Sequence, residues 1–169
     1  MIEFPPSALS LAGFVLAHAV WNVSDTADDE LFCPLAVVEQ SGGERRLLRF
    51  EAETQEAAIA AGKSAMSEAA ASAAAWAFAR EGTWRPVGAS EPQDVLTIDF
   101  WARGMRGAAS LVQPFERYTR GGRFHLLGDP VLVVEGLLVE QDTARASLEA
   151  IGAGAMTHAK AADLWESWL

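Results

Sequence analysis

A chain of 169 residues, 50% hydrophobic and 21% charged with 7 prolines, is long enough for one core that buries roughly 70% of the unfolded surface, and too apolar for disorder. Its net charge of −10 opposes nonspecific attraction to nucleic acid or anionic lipid, both polyanions, and suits basic partners. The lone Cys33 excludes an internal disulfide framework and points to a reducing compartment, the cytoplasm.

In chain order, Pro5-Pro6-Ser7 opens a helix with Ser7 as its cap and Leu9, Leu11, Ala12 and Val15 on its apolar side. Around His18–Ser24 the pattern allows the helix to continue or to give way to a strand. The apolar run Ala8–Trp21 is short for a bilayer span and lacks the basic start of a signal peptide. Asp25–Glu30 is an acidic turn. Leu35–Gln40 and Arg45–Glu53 flank Ser41-Gly42-Gly43-Glu44 as a hairpin, with Arg46, Leu48, Phe50 and Ala52 toward a core.

Thr54 caps a helix over 54–72, whose inward side is Ile59, Gly62, Ala65, Met66 and Ala69. Trp76, Phe78 and Arg80 alternate with alanines, which predicts a strand over 75–84. After a loop at Pro86–Pro92, Val95–Arg103 has the clearest alternation. There Leu96, Ile98, Phe100 and Ala102 face one way, and Val95, Thr97, Asp99, Trp101 and Arg103 the other. Ser110–Tyr118, Phe124–Leu127 and Val131–Glu135 are further strands. The last helix starts after Asp142 and runs toward 168, where Gly152 and Gly154 either permit close packing or divide it. These elements predict one α+β domain over residues 1–169. Its antiparallel sheet has about five to seven strands, and the two longer helices pack on one face.

No P-loop, dinucleotide fingerprint, nucleophile elbow or paired CxxC occurs, so no catalytic residue, cofactor or metal is expected. Cys33 with His18 or His125 has the residue types of a thiol catalyst but no surrounding motif, and a small buried apolar role explains Cys33 more simply. Asp25, Asp28, Asp29 and Glu30 lack calcium-loop spacing. Asp94, Asp99 and Glu116 are candidate acid–base carboxylates, against which stands a cross-strand ion pair of Asp99 with an arginine.

Residues 80–123 hold seven arginines against five acidic residues, a basic segment within an acidic chain. With its aromatics it supplies the candidate binding set of Trp84, Asp99, Trp101, Arg103, Arg117 and Tyr118. That set implies a small protein-interaction module, of adaptor, inhibitor or immunity-like type, acting on a protein partner or as a homodimer. Neither nucleic acid nor membrane is an expected partner. The alternative is a small enzyme or ligand-binding domain with an anion-accepting pocket around Asp99, Trp101 and Arg103, joined by His125. Trp165 and Trp168 either dock on their own sheet or on another chain.

Overall fold

A computed structural model describes residues 3–26, 30–117 and 123–169. Tyr118, Asp28, Asp29 and Arg120 lie outside the described residues. Helix α1 spans Pro6–Ser24, with Pro5 in the cap position. Ser7 is therefore inside the first turn and is not the cap, because a proline at the first helical position has no N–H to leave unsatisfied. Strands β1 (Leu35–Glu39) and β2 (Arg45–Arg49) form the expected hairpin. But β2 stops short of Glu53, and of its expected inward row only Leu48 and Phe50 reach a core while Arg46 and Ala52 are exposed. Helix α2 (Gln55–Ala69) is capped by Thr54, whose hydroxyl accepts from Ala57 N at 3.1 Å. Then come β3 (Ala75–Trp84), β4 (Gln93–Ala102), β5 (Ala109–Glu116), β6 (His125–Leu126), β7 (Val131–Val134) and β8 (Leu137–Leu138). The chain finishes with α3 (Gln141–Ala155), α4 (Ala159–Leu164) and a 3-10 turn at Trp165–Trp168.

The described strands form one antiparallel sheet of eight in the order β2-β1-β3-β4-β5-β7-β8, with β6 alongside β5. The α+β class follows, with one strand more than the upper expected number. The extra strand, β8, comes from a two-residue turn. Glu135 and Gly136 both take positive φ, 51° and 78°, the conformation whose twist matches that of a tight hairpin.

Leu96, Ile98, Phe100 and Ala102 all point to the main core, as their alternation requires. Beneath them lies α1, sealed by Leu11, Val15, Leu16 and Val20, and α3 packs against α1. Each such large side chain gains roughly 1.5–3 kcal/mol from burial. The second core is smaller: Ala36, Val38 and Phe78 meet Met66 of α2 on the opposite sheet face. The expectation that the helices of 54–72 and 142–168 share a face is thus corrected. They straddle the sheet, because β1 and β3 carry apolar side chains on both sides.

His18–Ser24, whose pattern allows helix or strand, is helical throughout and belongs to α1. At 19 residues it is long and apolar enough to cross a membrane by length and composition, yet most of it is buried inside the fold. The last helix is divided between Ala155 and Ala159. Asp142 is not its cap but lies in the first turn of α3, where it accepts a hydrogen bond from Arg145 at 2.9 Å. Gly154 permits a close approach, since an added Cβ would overlap Ser10 O and lie 2.8 Å from Ser10 Cα.

Candidate functional site

The sheet face that carries α2 is only partly roofed. Helix α2 packs on β1 and β3, and its margin is marked by two polar or aromatic cross-strand contacts. Trp76 and Trp101 are register partners whose rings stack with centroids 6.4 Å apart. Next to them, Arg80 pairs with Asp99, which also accepts from Ser110 Oγ at 2.6 Å. Beyond this pair, β4, β5, β7 and β8 present Thr97, Val112, Val131, Val133 and Leu138, with Trp84 and Val95 at one end. These residues line a shallow hollow of about 320 Å³, and Leu138 is 61% exposed. Among the described residues no helix covers it.

Of the expected binding residues, the sheet brings Trp84, Asp99 and Trp101 to this one face. Arg103 follows the end of β4, with its guanidinium 5.7 Å from the Trp101 ring centre. Its Nη2 donates to Ala73 O at 2.6 Å and to Ala70 O at 3.1 Å, so that nitrogen is committed to the backbone after α2. Asp99 lines a separate hollow with Lys63, Met66, Ser67, Trp76 and Phe78, which Arg103 does not enter.

Arg117 is elsewhere. It continues the inward row of β5 and pairs with Glu81, with Asp94 at 3.6 Å, on the α1 side of the sheet. Glu81 also accepts from Phe32 N at 3.0 Å. This cluster ties the approach to β1 onto the ends of β3 and β5. His125 pairs with Glu116 at 3.3 Å, far in role from the thiol chemistry considered for it. Cys33 Sγ contacts the carbonyls of Pro34 and Phe50 and no histidine. Among the described residues no three His, Cys, Asp or Glu side chains converge as a metal site requires. Trp168 is buried against Phe124 and Trp165, so these tryptophans dock internally.

Compared with protein-family models, curated proteins and solved structures, the chain matches none.

One polar pair was not visible in the sequence, because its members are 140 residues apart. His18 Nδ1 and His158 Nε2 lie 2.9 Å apart among Phe14 and Trp21. Ala161 N donates to His158 Nδ1 at 3.1 Å, making His158 the cap of α4. That bond leaves the His158 proton on Nε2, which donates to His18 Nδ1. Both rings are therefore neutral. Burial lowers each pKa below the ordinary 6.5, with the opposite ring and then Arg49 adding to the effect at His18. At His158 Lys160 lowers it further, against an opposing backbone hydrogen bond.

Protonation removes the acceptor that caps α4, or sets N–H against N–H across the pair. Because both folded-state pKa values are depressed, the unfolded chain binds more protons on acidification. Stability is then complete above about pH 6.5, the unfolded value, and declines as pH falls from there through the folded values. Melting temperature measured from pH 8 to pH 5 is expected to drop in the acidic half. His158→Asn, which caps without titrating, should flatten that drop; an unaltered profile would exclude the pair as its source.

Proposed function

We propose that this chain is a non-enzymatic protein-interaction module that holds a basic partner protein against the uncovered face of β4, β5, β7 and β8. The observation that carries this reading is the apolar surface of Val112, Val131, Val133 and Leu138 bordered by Trp84, left without a covering helix among the described residues. Apolar surface of this kind gains free energy when a partner removes it from water. Its bordering charges, Arg80 and Asp99, already satisfy one another. The remaining field of the chain, net −10, steers a basic partner and repels a second acidic copy. An inhibitor or immunity-like role fits that charge, and a cytoplasmic setting fits the free Cys33 thiol. The alternative anion-accepting pocket finds less support, since the arginine meant to line it already donates to Ala70 and Ala73.

The test places a charge in the hollow at an exposed position. Wild type and Leu138→Asp are used in parallel to capture proteins from native lysate, with circular dichroism confirming that both are folded. Basic proteins retained by wild type should fall at least tenfold in the variant and elute with added salt. Equal retention by both would sink the proposal. Sedimentation over a range of concentrations separates the other occupant: a dimer abolished by Leu138→Asp would assign the face to a second copy instead.

A further inference from the structure

On the other side of the sheet, α1, α3, β5 and the turn before β7 border a second, half-open hollow of about 390 Å³. Its volume is within the range of small-molecule sites, roughly 300–1,000 Å³. The apolar part of its wall is Leu16 from α1, Leu148, Ile151 and Ala155 from α3, Pro130, and Trp165.

The buried polar group in this wall is Gln113, whereas Asp129, Gln141, Arg145 and Glu149 line the cavity from exposed positions. Gln113 occupies the inward row of β5 between Leu111 and Phe115, where an apolar residue would satisfy the core, and it is 1% exposed. Its orientation is determined by two carbonyls. Nε2 donates to Pro114 O at 3.0 Å and to Gly128 O at 3.1 Å. An amide nitrogen with two acceptors leaves the amide oxygen pointing away from both. Oε1 takes no hydrogen bond among the described residues, yet it is not among the side-chain atoms sealed without a partner. Gln113 lines the cavity, and with its nitrogen held by the two carbonyls its oxygen is the amide atom left to meet a ligand there. A ligand donor that replaces water on this acceptor gains the net contribution of one hydrogen bond, about 0.5–1.5 kcal/mol, and more when it is charged.

The charges around the cavity select the donor. Asp129 follows directly on Gly128, the residue bonded to Gln113, and Glu149 lies on α3; both line the cavity and neither belongs to any ion pair among the described residues. Arg145 also lines it but is hydrogen-bonded to Asp142. We propose that this cavity binds a small primary amine with an apolar body, its ammonium shared between Gln113 Oε1 and the Asp129 carboxylate and its body against Leu148, Ile151 and Trp165. The site is separate from the sheet face assigned to a protein partner, and either stands without the other.

Three probes of similar size test it: phenethylamine, 2-phenylethanol and 3-phenylpropionate, titrated against the full chain by calorimetry and by nitrogen–proton correlation spectra. Phenethylamine should bind saturably and at least tenfold more tightly than the carboxylate. It should shift the Gln113 side-chain amide and the Trp165 indole signals. Asp129→Asn should remove the preference of the amine over the alcohol. Gly152→Leu is the second variant, because Gly152 lines the cavity and an added Cβ there meets nothing within 4 Å. It should fill the cavity and weaken the amine at least tenfold without lowering the melting temperature. No saturable binding at millimolar phenethylamine, a preference for the carboxylate, or binding indifferent to Gly152→Leu would each overturn the proposal.

Discussion

Gly13→Ala is expected to destabilise the fold by about 3 kcal/mol, the upper end of ordinary overpacking. Gly13 sits in α1 where α3 crosses it, and a Cβ there would overlap the Ile151 carbonyl oxygen and lie 2.7 Å from Ala155 N. Those are backbone atoms of a helix, which cannot rotate away as a side chain does. The two helices must separate, and the separation loosens every contact along the seam between them. Gly154→Ala should act in the same direction, since its neighbour is the backbone of Ser10. Gly152→Ala is the opposite case two residues earlier: with open space around it, it should gain about 1 kcal/mol from helix propensity. Denaturant midpoints of the three variants check the ordering. A Gly13→Ala protein as stable as wild type would refute the close helix contact.

Glu81→Leu should be comparably damaging, by about 3–5 kcal/mol. The side chains of Glu81 and Arg117 are 5% and 11% exposed, so removal of the carboxylate takes the nearest counter-charge from a guanidinium in a largely dry environment. Asp94, at 3.6 Å and more exposed, compensates only in part. Phe32 N loses its acceptor as well. Because the penalty comes mainly from a guanidinium that has lost its nearest counter-charge, the double variant Glu81→Leu with Arg117→Met should be more stable than Glu81→Leu alone. Additive losses in that double-mutant cycle would show that the pair is not coupled.

What the sequence makes legible follows from how many sides of an element are buried. Strand β4 is half buried in a regular way, so its period-two pattern assigns Leu96, Ile98 and Phe100 to the core without ambiguity. The aromatics of Trp76 and Phe78 at period two make β3 readable as a strand, and an ion pair with an arginine is readable as the simplest account of Asp99, the partner Arg80 being supplied by the fold. Helix α1 is apolar nearly all round, because it is buried nearly all round, and such a helix has no polar face to betray its period. The placement of α2 was obscured by the opposite omission. Leu35-Ala-Val-Val38 is a continuous apolar run, the mark of a strand covered on both faces, and it carried the signal that helices lie on either side.

Residues that meet only through the tertiary fold left less trace. Nothing local to His18 or His158 indicates a pair. Gln113 stands out only once β5 is known to point it inward, as the one polar side chain in the row Ala109, Leu111, Gln113 and Phe115. The candidate binding set rests on composition, and composition does not separate faces. Trp84, Asp99 and Trp101 share one, whereas Arg117 belongs to the other.

The outer rims of the sheet govern whether such a protein polymerises. On one rim β2 reads Arg45-Arg-Leu-Leu-Arg49, and its backbone has a neighbour on one side only. A second molecule adding there antiparallel would bring guanidinium groups together, an arrangement that repels strongly and discourages fibril growth. The opposite rim is β8, just Leu137 and Leu138, too brief to template another chain. With both ends of the hydrogen-bonded ladder blunted, crowding of this protein should favour contact through broad surfaces over stacking strand upon strand.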